Sequence, residues 1–76
     1  METNFERALS EIKRGYKVRR LGWNGKGMCV YLADDLSTDG EPIEATLLMV
    51  TVTGKRVAWL ASQSDLLAED WIRLED

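Results

Sequence analysis

The sequence has no histidine and a single cysteine, Cys29, among its 76 residues. One cysteine cannot close an intramolecular disulfide, and without histidine neither the common zinc sites nor the Ser-His and Cys-His nucleophile pairs can be assembled. These absences argue against a metalloenzyme or a hydrolase and leave an enzyme of another kind as a minor alternative. We expect no catalytic residue, no metal and no cofactor, in a protein of a reducing compartment.

Long apolar segments are also missing. The longest apolar run, from Leu47 to Val50, is far too short to cross a bilayer. Glu2 and Glu6 leave the N-terminus without the basic start or the apolar stretch of a signal peptide. We therefore expect a cytoplasmic protein without membrane contact. At this length we expect one domain over residues 1–76, whose small core favours self-association.

The charge balance limits the class of partner. A net charge of −3 argues against a long nucleic acid, because such binding depends on many phosphate contacts. Residues 12–33 contain six basic side chains and no acidic one, whereas residues 34–54 contain five acidic side chains and no basic one. A basic patch on an acidic protein suits a small anion that is held locally. The alternative is a solvated edge strand, whose charges deter pairing with other chains.

The order of periodic segments indicates an α+β fold, with an N-terminal helix packed on a small antiparallel sheet of about five strands. Thr3 and Glu6 form a capping-box signal before an apolar stripe at helical spacing, which predicts a helix over 4–14 that ends at Gly15. A strand is predicted over 16–21, at an edge because neither face is purely apolar. Later strands are predicted at 28–32, from 43 or 45 to 53, at 56–60 and at 71–74, with a loop at 33–42 and a turn at 53–55.

A glycine-rich segment, 22–27, connects the first two predicted strands. Asn24 and Gly25 together predict a type I′ hairpin turn, because both residues tolerate positive φ. Three glycines in six residues also expose backbone N–H groups, which can form an anion-binding nest beside Lys26. A tight hairpin alone equally explains the glycines.

The predicted strand in the middle of the chain is apolar on both faces. Leu47 and Met49 lie on one face, and Leu48 and Val50 lie on the other. A strand that is buried on both sides needs two covering layers, and one short helix supplies only one. The simplest second cover is another copy of the chain.

The stretch WLASQSDLLAEDW, at 59–71, has a tryptophan at each end. It contains two overlapping helix-start signals, Ser62 with Asp65 and Ser64 with Leu66 and Leu67. A short second helix over about 63–69 is therefore predicted before the last strand. On this helix we expect the two leucines to point inward and Asp65 to face water or a partner.

Two stretches, RLGWNGKGM at 20–28 and WLASQSDLLAEDW at 59–71, follow an amphipathic helix that ends at Gly15. In this order they resemble the small phage-encoded Thoeris anti-defence family of the second type, over about half of the chain. The resemblance implies an α+β fold that assembles as a homotetramer in the bacterial host cytoplasm. It also implies a non-catalytic sponge, which binds a cyclic ADP-ribose isomer such as the glycocyclic form, and in some members cyclic dinucleotides, and so denies this signal to an immune effector.

The resemblance places one tryptophan of each stretch, Trp23 and Trp59, in a ligand pocket between subunits. Two indole faces beside a basic, glycine-rich turn suit a purine that carries a pyrophosphate. Arg20 and Lys26 are the predicted phosphate partners, with Arg19 as the alternative to Arg20. The other candidates would offer backbone amides or would read ribose hydroxyls and a base edge, and they are Asn24, Gly25, Gly27, Ser62, Gln63 and Asp65.

A rival hypothesis belongs to a different functional class. Exposed tryptophans and a two-faced strand could instead dock onto a host protein, as in a protein interaction module that binds no small ligand.

Overall fold

The computed structural model describes residues 2–34 and 44–75. Within these ranges the elements follow in the order α1 (Phe5–Lys13), β1 (Lys17–Arg20), β2 (Cys29–Ala33), β3 (Thr46–Val50), β4 (Arg56–Ala58), α2 (Gln63–Leu67) and β5 (Trp71–Leu74). The predicted α+β class is confirmed, including the short helix before the last strand. The predicted loop falls, over 35–42, outside the described residues.

Helix α1 begins one residue later than its sequence signal predicts. Asn4 is the N-cap, and its side chain accepts a hydrogen bond from the Arg7 N–H at 2.9 Å. The predicted cap, Thr3, instead exchanges two backbone hydrogen bonds with Trp71 and so extends the sheet. Gly15 ends the helix with φ +101°, as predicted, because a left-handed residue closes a helix at little cost when it has no Cβ.

The five strands form one antiparallel sheet in the order β4-β3-β2-β1-β5. The prediction that β1 lies at an edge is wrong, because β5 returns from the end of the chain and pairs along its outer side. The charge of Arg20 on β1 is therefore balanced within the chain and does not require an edge strand exposed to solvent. Arg20 finds carboxylate partners that lie far away in the sequence.

Helix α1 covers one face of the sheet. Val18 and Val30 are opposite each other on β1 and β2, and both are fully buried together with Ile12 of the helix. Successive residues of a strand alternate between faces, so the other face carries Cys29, Leu48, Val50 and Ile72. In the described ranges neither helix is long and apolar enough to cross a membrane.

Helix α2 has the predicted cap but not the predicted orientation. Ser62 and Asp65 form a reciprocal capping box, as the first of the two start signals predicts. The expectation that Leu66 and Leu67 point inward is wrong, since they are 46% and 78% exposed. Asp65 itself faces the interior, and the next two residues are turned away from it by about 100° and 200°.

Candidate functional site

Three tryptophans meet at one end of the sheet. Trp71 is fully buried, and its ring centroid lies 5.3 Å from that of Trp23 and 5.9 Å from that of Trp59. Both neighbours meet Trp71 nearly at right angles, at 80° and 81°. Phe5 of α1 closes the cluster against Trp59 and Trp71. Such edge-to-face pairs each contribute about 0.5–1.5 kcal/mol beyond the burial of their area.

Trp23 and Trp59 differ from Trp71 in their access to solvent. Both pack against the core but remain half-buried, so part of each indole faces outward. The indole N–H of Trp71 donates to the backbone carbonyl of Asp65 at 2.9 Å, which fixes the central ring. The two candidate stacking residues therefore flank a rigid, buried ring and do not stack on each other within one chain.

Arg20 joins the tryptophan cluster to two carboxylates. Its Nε donates to Asp70 at 2.8 Å, and its Nη1 donates to Asp65 at 3.0 Å. The other oxygen of Asp70 accepts the backbone N–H of Gly22 at 2.8 Å. Arg20 lies opposite Trp71 in the sheet, whereas Arg19 lies opposite Ile72, so Arg20 is the arginine that faces the tryptophans. Together these contacts tie β1 and the following loop to α2.

The pKa values of both carboxyl groups, Asp65 and Asp70, are lowered. For Asp65, partial burial pushes the pKa upward, but hydrogen bonds from Arg20, Ser62 and Trp23 outweigh this effect, and the pKa lies below its ordinary value. The hydrogen bond from Arg20 is also the main cause of the lowered pKa of Asp70, despite a smaller opposing effect of desolvation. The Trp23 side chain therefore lies beside the Asp65 carboxylate. One arginine and two carboxylates give this group a net charge of −1.

The glycine-rich loop does not form the predicted turn. A type I′ turn needs positive φ at both central residues, but positive φ in this loop occurs at Gly27, at +79°, and not at Asn24 or Gly25. Gly25 is required for another reason. An added Cβ would lie 1.8 Å from Cγ1 of Val52 and 2.7 Å from Sδ of Met28, so the loop backbone packs directly against the β3–β4 turn.

The loop nevertheless offers groups to an anion. Asp70 occupies the N–H of Gly22, but none of the turn and loop hydrogen bonds between described residues uses the N–H groups of Gly25, Lys26 or Gly27. Within the described ranges the exposed ammonium of Lys26 also has no ion-pair partner. These amides and the lysine can together hold a phosphate-sized group.

The remaining candidates lie at the surface on both sides of the cluster. Asn24 is exposed on the loop, and Ser62 and Gln63 are exposed at the start of α2. The Ser62 hydroxyl accepts the N–H of Asp65 at 3.1 Å and keeps its own proton to donate. Asp65 is committed to donors of its own chain. The ten candidates thus form a tryptophan and carboxylate group beside α2 and an amide and lysine group on the loop.

A separate groove of about 770 Å³ lies between α1 and β5. Its floor holds the buried carboxylate of Glu11, which accepts from Arg14 at 2.9 Å and from Arg73 at 3.1 Å. The Arg73 guanidinium also lies over the ring of Tyr16, 4.2 Å from its centroid. None of the ten candidate residues lines this groove, whose polar groups stabilise the packing of helix on sheet.

Sequence reasoning missed Asp70 and Gly22 as parts of the site. The sequence shows only that an acidic cluster near the C-terminus and an acid-free basic block could complement each other. The pairing of Arg20 with residues 45 and 50 positions away depends on the return of β5 to the side of β1. No group of His, Cys, Asp and Glu in the described residues could hold a metal ion.

Comparisons with known proteins match nearly the whole described sequence to one family. The sequence model of a family described as Tad2-like, the Thoeris anti-defense 2-like domain, matches residues 3–74. A protein of Bacillus phage SP01 named Thoeris anti-defense 2 is 36% identical over 80 residues, which cover 90% of this chain and 90% of the relative. The match extends through both stretches that carry the candidate residues.

Proposed function

Since the chain belongs to the Thoeris anti-defense 2-like family, we propose that it sequesters a cyclic nucleotide signal of bacterial immunity. The proposed ligand is a cyclic ADP-ribose isomer such as the glycocyclic form, with cyclic dinucleotides as further ligands. Binding withholds the signal from its effector in the host cytoplasm, and no reaction is catalysed. The observation that carries this proposal is the pair of half-buried indoles, Trp23 and Trp59, beside a loop whose amides and lysine have no partner among the described residues.

The chemistry of these groups supports a nucleotide. Stacking on an aromatic side chain contributes about 1–3 kcal/mol per base, and Trp23 and Trp59 each present part of a ring. Phosphates would lie against the amides of Gly25 and Gly27 and against Lys26, where charge-assisted hydrogen bonds are strongest. Asn24, Ser62 and Gln63 would supply hydrogen bonds to ribose hydroxyls or to a base edge.

Affinity considerations favour a site that a second copy completes. A sponge needs tight binding, and nanomolar affinity corresponds to about −12.3 kcal/mol. Two stacks and one phosphate contact fall short of this value once the cost of ordering the ligand is subtracted. Leu60 is 92% exposed next to Trp59, and Leu67 is 78% exposed on α2. We propose that another copy of the chain covers these leucines in a homo-oligomer, of which the homotetramer is our preferred form.

Titration calorimetry with purified cyclic ADP-ribose isomers tests the ligand. Wild type should bind at least one isomer, and Trp23→Ala and Trp59→Ala should each weaken binding about tenfold to hundredfold, which matches one lost stack. Lys26→Gln should also weaken binding, whereas Lys55→Gln, a change at the exposed β3–β4 turn, should not. Ligand recovered by denaturing the complex should have unchanged mass. Unaltered affinity in Trp23→Ala would remove that ring from the site.

The protein interaction module remains the second candidate, because the exposure of Leu60 and Leu67 also suits a host protein. Co-expression with an active Thoeris signal-producing enzyme, followed by mass spectrometry of the purified protein, separates the two functions. A co-purified nucleotide supports sequestration. A host protein at fixed stoichiometry without any nucleotide supports the alternative. Light scattering on the same sample measures the assembly, and a monomer would contradict a site between copies.

A further inference from the structure

We propose that Arg20 is a positioning residue and not a phosphate ligand: by bridging Asp65 and Asp70 it holds the Trp23 indole in the orientation that stacking requires. The inference rests on the proposed function for the meaning of that orientation. The bridge from Arg20 to Asp65 and Asp70 is itself a feature of the ligand-free chain.

The guanidinium of Arg20 is already occupied. Its side chain is only 22% exposed, and two carboxylates accept from it at 2.8 Å and 3.0 Å. These carboxylates outnumber it, so an incoming phosphate meets a group with a net charge of −1. A phosphate would have to displace a carboxylate that accepts other hydrogen bonds from the chain. Lys26 offers a cation without this competition.

The carboxylates that Arg20 bridges hold the backbone next to Trp23 and lie beside its side chain. The preceding residue, Gly22, donates its N–H to Asp70 at 2.8 Å, and the Trp23 side chain lies close enough to Asp65 to contribute to the lowered pKa of that carboxyl. A larger residue at position 22 would crowd this contact, because its Cβ would lie 3.0 Å from the same Asp70 oxygen. Arg20 holds the two carboxylates at one spacing and thereby constrains both the backbone at Gly22 and the carboxylate beside Trp23.

Asp65 connects the Arg20 bridge to Trp71 and, through it, to Trp59. Its carboxylate accepts hydrogen bonds from Arg20 and from the N–H of Ser62 and lies beside Trp23, while its backbone carbonyl accepts the indole N–H of Trp71. Trp71 in turn packs against Trp59. Asp65 therefore contributes to the relative placement of the two proposed stacking rings, together with their direct packing on Trp71, and Arg20 orients its side chain.

The test compares Arg20→Gln with Arg73→Gln as a matched control. Arg73 is also a partly buried arginine that bridges two carboxylates, Glu11 and Glu75, and its guanidinium lies over the ring of Tyr16. The indole N–H signals of the three tryptophans are followed by proton–nitrogen NMR without any ligand. We expect the Trp23 signal to shift or broaden in Arg20→Gln and to keep its position in Arg73→Gln. An unmoved Trp23 signal in a folded Arg20→Gln protein would overturn the inference.

Asp70→Asn is an independent test, because the two possible roles of Arg20 predict opposite changes in ligand affinity. If Arg20 positions Trp23, loss of this carboxylate moves the Trp23 signal and weakens binding of a cyclic ADP-ribose isomer about tenfold. If Arg20 binds phosphate, the same change frees the guanidinium and strengthens binding, which contradicts the inference. Wild type that binds no isomer defeats the proposed function and leaves the NMR result to decide the positioning role. Asn has the same size as Asp, so Asp70→Asn preserves the packing. This variant therefore keeps the inference testable if Arg20→Gln does not fold.

Discussion

Replacement of Gly25 by alanine should destabilise the fold and displace the loop that carries Lys26. The new Cβ would lie 1.8 Å from Cγ1 of Val52, and ordinary contact begins at 3.4 Å, so the loop and the β3–β4 turn must separate by about 1.6 Å. The second obstacle, Sδ of Met28 at 2.7 Å, belongs to a flexible side chain that can rotate away. Overpacking of this kind costs about 1–3 kcal/mol.

A second substitution at Val52, whose methyl group makes the clash, should restore part of the lost stability. Val52 is 61% exposed, so Val52→Ala alone should change stability by no more than about 0.5 kcal/mol. In the double variant the offending methyl group is gone, and we expect recovery of about 1 kcal/mol relative to the sum of the single changes. Gly27→Ala is the control, because nothing lies within 4 Å of its Cβ position while its φ is +79°. Its cost of about 1–2 kcal/mol comes from backbone strain, which Val52→Ala cannot relieve.

Urea denaturation followed by circular dichroism measures the free energy of unfolding of the four variants and of wild type. For a domain of this size each kcal/mol also corresponds to about 4–8 °C in Tm. The reasoning is refuted if Gly25→Ala lies within about 0.5 kcal/mol of wild type, or if the double variant loses as much as the two single variants together.

Two further predictions concern the charged groups. Glu11→Ala should cost about 2–3 kcal/mol in urea denaturation, because it leaves Arg14 and Arg73 without their buried partner. The exposed neighbour Ser10→Ala should change stability by less than about 0.5 kcal/mol, and equal costs would contradict this role of the carboxylate. Because the pKa values of Asp65 and Asp70 are lowered in the folded chain, their stabilising effect is complete above the unfolded value of about 3.9 and is lost as the pH falls through the folded values. The Trp23 indole signal should therefore stay constant from about pH 5 to 8 and change only in stronger acid, so a transition centred near pH 6 would exclude these groups as its anchors.

Much of the fold could be predicted because it depends on neighbours in the sequence. The apolar stripe of α1, the glycine that ends it, and the reciprocal cap of Ser62 and Asp65 all follow from spacings of a few residues. The alternating segments predicted β1, β2 and β5 to within one residue, whereas β4 ends two residues and β3 three residues before the predicted ends. The resemblance carried by the two tryptophan-containing stretches is confirmed at the level of the family.

The tertiary structure decided which of these local features meet. Return of β5 moved β1 into the interior of the sheet and gave Arg20 two carboxylate partners, although its charge suggested an open edge. It placed Trp71 at the centre of the cluster and left Trp23 half-buried at its rim. Short-range periodicity records which side of an element is apolar. It does not record which distant element covers that side, and burial and charge pairing depend on that cover.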